Sequence, residues 1–389
     1  MMKNKSPKQL RTDIERIRSK TQLVIDVLSR NTEERMWGLG DECHRTATEL
    51  KKILAENVVP AEYRVAVVGR FKAGKSAFVN EMLGQKLAGE NTSRETAAIT
   101  TFRHGPAVRA YIHFISQAQW NSLKELYQND PRDPDAHRVA NWRKVGDGNA
   151  TTVGDGIKFD LDALEKEFVA DVPFVHEFAL DNADQKTGIK AFRKNLELFT
   201  SSTKPHHCLV ERIEITVPSP LLEDGVLLID TPGLDDTERF RVDLTERAVQ
   251  DVDAILFLAK SETGYGQSDK DFLLSLLRKG TVKQFIYVAT QFDQTYDQHV
   301  KNARANDDDP QSVRVRVEFE KGRIRREIAE TLDQLSDNDD SPSMQRYREQ
   351  LGDIEILFSS AFHHRDWINK EDVKYPLSAD DPGRALPLG

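Results

Sequence analysis

A glycine-framed octapeptide near residue 70 has the spacing of a polyphosphate-binding loop. Gly69 and the later Gly74-Lys75-Ser76 fit the pattern G-x-x-x-x-G-K-[ST]. Glycines let the backbone wrap a polyphosphate, N–H groups at the start of the next helix point at its oxygens, and the Lys75 ammonium neutralises charge between the β- and γ-phosphates. The Ser76 hydroxyl is then a magnesium ligand. The predicted nucleotide-binding residues of this loop are Gly69, Arg70, Phe71, Lys72, Ala73, Gly74, Lys75, Ser76 and Ala77.

An aspartate at the end of an apolar run is the second candidate for phosphate chemistry. The run 227–229 is followed by Asp230-Thr231-Pro232-Gly233. A carboxylate at the end of a buried strand is placed to hold a nucleotide-bound magnesium ion through water, and Gly233 can bring its N–H to the γ-phosphate without a Cβ in the way. The alternative to a magnesium-binding role is a purely structural one, in which Asp230 caps the next turn. Downstream of a phosphate-binding loop, the pattern favours Asp230 and Ser76 as partners at one magnesium ion.

Apolar, β-branched runs separated by helix-like segments predict the scaffold that positions these residues. The run 63–68 leads directly into Gly69 and then a helical stretch, which is the strand, loop, helix order of a parallel α/β unit. We expect an α/β fold, with a doubly wound, mostly parallel sheet and helices on both faces. An insertion of helical pieces around a Pro/Gly/Asp-rich loop interrupts it from about 117 to 205. The other apolar runs are 209–217, 226–229, 254–258, 285–289 and 354–358.

The first sixty residues predict a helical, coiled-coil-like arm. Leu10, Ile14, Ile17, Val24 and Leu28, with Thr21 in the gap, follow the alternating four-three spacing of a coiled-coil seam. A second helical stretch follows and stops before Pro60. Two interpretations are open at this stage: the arm packs on the domain that follows, or it associates with another copy.

A second interruption, from 306 to 343, predicts a long helix flanked by acidic loops. Its six basic residues favour a solvated face, and a site for anionic lipid or a partner is the alternative. They are Arg314, Arg316, Lys321, Arg323, Arg325 and Arg326.

Composition excludes several classes of protein. A chain of 389 residues with 38% hydrophobic residues can bury a sizeable core, which excludes a disordered tail. The net charge of −9 argues against a dedicated nucleic-acid binder. Two cysteines cannot build a disulfide framework, and no stretch approaches the roughly 20 apolar residues of a membrane span. We therefore expect a cytoplasmic protein, with peripheral membrane association as the alternative address.

The phosphate motifs and their flanks resemble those of the dynamin superfamily, in particular the bacterial dynamin-like GTPases. Residues 69–84 are similar to the phosphate-binding loop and first helix of that family, and 227–237 to its third motif. The resemblance covers about 58–362 and implies a GTPase domain at 61–362, an N-terminal helical neck at 1–60 and a short tail at 363–389. It also implies Mg²⁺ and GTP, a homodimer through the GTPase domain or assembly with another dynamin-like subunit, and no nucleic acid.

The resemblance assigns further residues by position. Thr96, in the segment 95–100, corresponds to the switch threonine that completes the magnesium shell, with Thr100 and Thr101 as alternatives. Thr290-Gln291-Phe292-Asp293 stands where the family has Thr/Asn-Lys-x-Asp, so Asp293 would accept two hydrogen bonds from guanine and Gln291 replaces the usual lysine. Ser360 and Ala361 resemble the fifth motif, which contacts the guanine oxygen through the backbone.

The sequence departs from the family pattern at two positions that matter for hydrolysis. Leu234 follows Gly233 where many small GTPases have a water-orienting glutamine, and Phe71 occupies a loop position that is often polar in dynamins. We therefore expect slow intrinsic turnover, with Lys75, Thr96 and Lys72 as the catalytic residues and Lys72 acting when two GTPase domains pair. The alternative function is a GTP-binding switch or regulatory subunit with little catalysis. The family normally adds a helical stalk and lipid-binding tip, so we expect either a fragment or a chain that needs a partner.

Overall fold

A computed structural model describes most of the chain. The described residues are 7–30, 40–56, 62–89, 98–133, 135–146, 159–172, 174–180, 185–201, 204–233, 245, 247–249, 252–262, 269–270, 284–336, 354–361 and 364. The chain divides into two compact units, residues 1–62 and 63–389. Of the predicted site residues, Thr96 lies outside the described part, as does most of the predicted tail. None of the described helices is both long and apolar enough to cross a bilayer.

The first unit is a pair of packed helices, α1 (Pro7–Arg30) and α2 (Gly40–Glu56). The Arg18 guanidinium of α1 donates a hydrogen bond to the Leu54 carbonyl of α2, with 3.4 Å between the atoms. Ile25 on α1 and Ala47 on α2 are buried. The predicted seam is only partly covered, because Ile14, Thr21 and Leu28 are half-buried whereas Ile17 and Val24 are exposed. Residue 25, outside the predicted seam, is the most buried position of α1 among those described.

The second unit is built on one nine-stranded sheet of order β4-β3-β5-β2-β6-β1-β7-β8-β9. Five of the eight strand pairings are parallel, and the antiparallel ones are β2 with β6, β3 with β5 and β3 with β4. The mostly parallel sheet is therefore as predicted. The strands are β1 (Tyr63–Gly69), β2 (Thr100–His104), β3 (Arg109–Phe114), β4 (Val175–Ala179), β5 (Val210–Val217), β6 (Val226–Asp230), β7 (Ala254–Lys260), β8 (Gln284–Thr290) and β9 (Glu355–Phe358).

Helices cover both faces of this sheet, which confirms the doubly wound architecture. Successive residues of β1 alternate between two hydrophobic cores: Val67 belongs to one, and Ala66 and Val68 belong to the other. The helices on the Val67 side are α3 (Lys75–Leu83), α4 (Gln117–Asn129), α5 (His137–Gly146), α6 (Leu161–Phe168) and α7 (Gln185–Thr200). The opposite side carries α8 (Phe292–Ala305) and α9 (Val313–Ser336). Because β1 has β6 and β7 as neighbours, its buried carboxyl end lies at the centre of the sheet.

The segment from about 117 to 205 differs from the prediction of helices around a loop. It also contributes β4, which pairs antiparallel with β3 at the edge of the sheet. Helix α5 falls inside the stretch 129–156 that composition assigned to a loop. Its Trp142 packs edge-on against Trp120 of α4, with ring centroids 5.7 Å apart, and both indoles are buried. These aromatic residues thus form local core.

The long basic helix predicted after 306 is α9, and its basic residues are only partly a solvated face. Glu320 has 3% of its side chain exposed and accepts hydrogen bonds from Arg316 and Arg323. Arg323 also pairs with Glu327 at 2.7 Å and donates to the Ser261 carbonyl just after β7. The inner side of α9 therefore carries a partly buried ion network, centred on the buried Glu320, that connects the helix to the sheet.

Candidate nucleotide-binding site

The phosphate-binding loop connects the end of β1 to the start of α3, and two glycines are required by its geometry. A Cβ on Gly69 would lie 2.2 Å from the Leu258 carbonyl oxygen of β7, so no side chain fits there. Gly74 has φ +84°, a left-handed conformation that glycine adopts without strain. Helix α3 begins at Lys75, directly after Gly74. Lys75, Ser76 and Ala77 therefore make up its first turn, whose N–H groups lack intrahelical partners.

Lys75 lies beneath the loop with 8% of its surface exposed. Its ammonium donates to the carbonyls of Gly69, at 3.0 Å, and Arg70, at 3.1 Å. These carbonyl contacts help to hold the buried cation in place. The loop thus presents a positive charge and the positive end of the α3 dipole at one point, which suits a polyphosphate.

Ser76 and Asp230 meet beside this lysine. The Ser76 hydroxyl donates to Oδ2 of Asp230 at 3.1 Å, although 154 residues separate them in the chain. Asp230 is 2% exposed, and its Oδ1 is buried with no hydrogen-bond partner among the described residues. Burial raises the pKa of Asp230 to about 6, against the opposing effects of the Lys75 charge and the hydrogen bonds from Ser76 and the Thr231 N–H. An unsatisfied carboxylate oxygen next to a hydroxyl is a donor set that fits a magnesium ion.

The loop after Asp230 approaches the phosphate-binding loop closely. Thr231 donates from its hydroxyl to the Val67 carbonyl at 2.9 Å, which fixes the turn against β1. A Cβ on Gly233 would lie 3.1 Å from the backbone nitrogen of Phe71. Glycine therefore permits the close approach of this loop to the phosphate-binding loop. Leu234, the residue expected near the attacking water, lies outside the described part.

Lys72 occupies the outermost position of the loop in a left-handed conformation, φ +63°. Its ammonium lies 5.3 Å from the centroid of the Phe71 ring, and the side chain is exposed. The predicted catalytic lysine is thus on the loop surface, stacked on its neighbour. Of the alternatives to Thr96, Thr100 begins β2 directly opposite Asp230 in the antiparallel ladder, and is buried.

The predicted base-recognition segment braces the phosphate-binding loop, a role that sequence reasoning missed. Thr290 ends β8 and donates from its hydroxyl to the Ala73 carbonyl at 2.7 Å. Gln291, with φ +56°, donates its side-chain amide to the Lys72 carbonyl at 3.1 Å. The sequence signal for this supporting role was a threonine at the carboxyl end of a strand adjacent to β7. Its acceptor, the Ala73 carbonyl, is 217 residues away in the chain.

Asp293 and the 359–361 loop lie beside this brace. Asp293 is in the first turn of α8, and its Oδ1 is buried without a hydrogen-bond partner among the described residues. The Phe292 N–H donates to the Ser359 carbonyl at 3.3 Å, and the Ser359 N–H donates to the Ala289 carbonyl at 2.9 Å. Ser360 and Ala361 therefore follow directly after the point where β9 is joined to the base-recognition segment.

Comparison with known proteins gives a consistent result. A protein-family model described as the dynamin family matches residues 65–292, more than half of the 389 residues. Dynamin-like protein 1 of Campylobacter jejuni is 26% identical over 246 residues, which cover 63% of this chain and 29% of that protein. The bacterial dynamin-like protein of Nostoc punctiforme is 23% identical over 242 residues, 62% of this chain and 26% of its own length.

A solved structure also matches this chain. It is an oligomerised bacterial dynamin pair, described as providing a mechanism for the long-range sensing and tethering of membranes. The chains are 19% identical with a TM-score of 0.49, over 91% of this chain and 41% of the other. This chain spans less than a third of the length of the two relatives named above.

Proposed function

Because the chain belongs to the dynamin family, we propose that it binds magnesium-GTP and hydrolyses it to GDP and phosphate. The observation that carries this proposal is the convergence of Lys75, Ser76 and Asp230 at the carboxyl ends of β1 and β6. A cation, a hydroxyl and an unsatisfied carboxylate at one helix N-terminus suit a magnesium-bound polyphosphate. Magnesium, when bound, neutralises charge that develops on the β- and γ-phosphate oxygens.

Each residue then has a separate task. Lys75 contacts the β- and γ-phosphates, and the first-turn N–H groups of α3 surround the β-phosphate. Ser76, Asp230 and Thr96 hold the magnesium ion, Asp230 through water. Gly233 directs its N–H at the γ-phosphate. Arg70, Phe71, Lys72, Ala73 and Ala77 contribute backbone groups around the polyphosphate, together with Gly69 and Gly74.

Guanine selection is assigned to Asp293. Its buried, unsatisfied carboxylate oxygen fits the role of acceptor for the N1–H and exocyclic amine of guanine, which adenine lacks. Thr290 and Gln291 support the phosphate-binding loop from below, and the Ser360-Ala361 backbone contacts the guanine oxygen. Gln291 does not carry the charge of the lysine it replaces, so selectivity depends mainly on Asp293.

Turnover is proposed to be slow in the monomer and faster when two GTPase units pair. Lys72 is exposed on the loop surface and stacked on Phe71, from which it could swing toward the phosphates at a dimer interface. The Lys72 ammonium would then stabilise the negative charge that develops on the phosphate oxygens in the transition state. The same contact favours a second candidate, a GTP-binding switch or regulatory subunit that hardly hydrolyses GTP, since the Lys72 ammonium lies on the Phe71 ring.

Partners and location follow from the same proposal. We expect a homodimer through the GTPase unit, or assembly with another dynamin-like subunit, in the cytoplasm or peripherally at a membrane. The net charge of −9 supports the exclusion of nucleic acid. Co-sedimentation with liposomes, with and without a non-hydrolysable GTP analogue, tests the membrane part.

Nucleotide affinity and phosphate release test the function itself. GTP should bind far more tightly than ATP, and Lys75→Ala should lose most GTP binding, whereas Lys86→Ala, an exposed lysine beyond α3, should behave as the native chain. Specific activity should rise with protein concentration, and Lys72→Ala should lose that rise. Constant specific activity near zero would favour the switch. Equal affinity for ATP and GTP would contradict the guanine assignment.

A further inference from the structure

The segment that follows Asp230 is tied to a buried threonine further along the chain. Thr245 is fully buried and donates from its hydroxyl to the carbonyl of Pro232 at 3.3 Å, directly before Gly233. The Val249 N–H donates to the Thr245 carbonyl at 3.1 Å, and Val249 is buried as well. Residues 245 and 249 thus belong to one packed turn that holds Pro232 and, with it, the position of Gly233.

The same turn carries Arg247, which reaches the insertion. Its Nη2 lies 2.9 Å from Oδ1 and 3.0 Å from Oδ2 of Asp135, so one guanidinium nitrogen is shared by both carboxylate oxygens. The two residues are 112 positions apart in the chain, and their side chains are 60% and 42% exposed. An ion pair at this exposure contributes little to the stability of the fold. What it can do is decided by the two segments that it connects.

The Asp135 end of this pair is a fixed anchor. The Asp135 carbonyl accepts a hydrogen bond from the Arg138 N–H at 3.2 Å. The Arg138 side chain in turn donates to the carbonyls of Cys208 and Val210, at the point where β5 begins. The carboxylate therefore projects from a turn that is bonded to the sheet, and the guanidinium that it binds comes from outside the insertion.

We propose that the ion pair of Arg247 and Asp135 positions Gly233 for the γ-phosphate, so that the insertion takes part in distinguishing GTP from GDP. This inference rests on the proposed function, in which the Gly233 N–H is directed at the γ-phosphate. Arg247 and Asp135 are positioning residues, since they act through the turn at 245–249 and not on the nucleotide.

The direction of the effect follows from the phosphate that Gly233 contacts. A Cβ on Gly233 would lie 3.1 Å from the Phe71 nitrogen, so this glycine already lies against the phosphate-binding loop. The ion pair stabilises that arrangement, and a site arranged in advance loses less free energy to ordering when the ligand binds. GDP has no γ-phosphate and gains nothing from it. Loss of the ion pair should therefore weaken the binding of a triphosphate and leave the binding of GDP unchanged.

Affinities of the full chain for GDP and for a non-hydrolysable GTP analogue test this inference. Arg247→Ala and Asp135→Asn should each weaken analogue binding about two- to fivefold, the range for a partly exposed ion pair, at constant GDP affinity. The double variant should match the single ones, because either change removes the pair. Arg247→Lys should keep most of the affinity, since one nitrogen meets both oxygens. Arg132→Ala, at an exposed arginine of the same loop, is the control.

Two results of these titrations would overturn the proposal. Equal weakening of analogue and GDP would give the pair a purely structural role, and additive losses in the double variant would show that the two residues act independently. A native chain that binds neither nucleotide would refute the proposed function itself, and the link from Arg247 to Gly233 is then tested without nucleotide.

Hydrogen exchange in the absence of nucleotide supplies that second test. Amides at 233 and 245–249 should exchange about two- to fivefold faster in Arg247→Ala than in the native chain, whereas those of α3 should not change. Unchanged exchange at 233 would show that the ion pair does not hold Gly233, whether or not the chain binds GTP.

Discussion

At the residue scale, the proposed role of Asp230 as a magnesium ligand links magnesium affinity to pH. Burial raises its pKa from 3.8 to about 6, so between these values the native, metal-free protein holds a proton that the unfolded chain has released. Lowering the pH through this window therefore favours the native state at this residue, and raising it above about 6 removes that contribution. A magnesium ion needs the carboxylate, so its binding must displace the proton.

Magnesium-dependent GTP binding should therefore weaken below pH 6. Linkage to one proton predicts an affinity about tenfold lower at pH 5 than at pH 7. Titration of a fluorescent GTP analogue at several pH values, in magnesium and in EDTA, measures this effect. The step should be missing in EDTA and in Asp230→Asn. A flat magnesium series would show that Asp230 is not near the ion.

Gln291 gives a second prediction at this scale. Its amide holds the carbonyl of Lys72, a residue in a left-handed conformation, so Gln291→Ala removes a brace from a strained turn. A neutral hydrogen bond of about 1 kcal/mol corresponds to roughly fivefold weaker GDP binding. Gln294→Ala, an exposed glutamine one turn along α8, is the control and should match the native chain. Equal GDP affinities for all three proteins would mean that the phosphate-binding loop keeps its conformation without the Gln291 hydrogen bond.

Residue types indicated which side chains meet at the candidate site, but they did not indicate which residues support the phosphate-binding loop. Lys75, Ser76 and Asp230 could be predicted because their chemistry demands those side chains next to a strand end and a glycine loop. The hydrogen bond from Thr290 to the Ala73 carbonyl could not be predicted. A threonine hydroxyl has many possible acceptors, and this one lies in the loop between β1 and α3, far from Thr290 in the chain. The Lys72 ammonium lies at the surface over the Phe71 ring. The spacing of the motif residues does not predict this contact.

At the element scale, α9 depends on Glu320. Removing a carboxylate that holds two arginines leaves partly buried positive charge, so Glu320→Gln should destabilise the protein by about 3 kcal/mol. Glu318, 64% exposed and paired with Lys321, is the matched control, and Glu318→Gln should cost about 0.5 kcal/mol or less. Urea unfolding measures both. Similar losses in the two variants would contradict the importance of burial.

The elements themselves were predicted unevenly. Strands buried on both faces, such as β1, β6, β7 and β8, are continuous apolar runs and were found. Strands β2, β3 and β4 were missed because polar and apolar residues alternate or mix in them, as in Val-His-Glu-Phe-Ala of β4, whose residues are exposed or half-buried. Such a segment resembles a loop until its neighbour in the sheet is known.

At the scale of the whole molecule, the two units should respond differently to nucleotide. Saturating magnesium-GDP at about one hundred times its dissociation constant stabilises the unit that binds it by about 2.7 kcal/mol. Hydrogen exchange should slow at 69–83 and 290–293 and remain unchanged in α1 and α2, which belong to the other compact unit. Equal slowing in both units would indicate that they unfold as one.

The sheet order also determines how long β1 lacks its neighbouring strands while the chain is being synthesised. β1 leaves the ribosome early, yet its two neighbours are β6 and β7, and Val226 at the start of β6 emerges roughly 160 residues after Gly69, which takes about 8 to 30 s at typical elongation rates. During that time the apolar stretch 65–68 has no strand beside it. The nascent chain is therefore a natural client for chaperones, and slowing translation between β1 and β6 should lower the soluble yield.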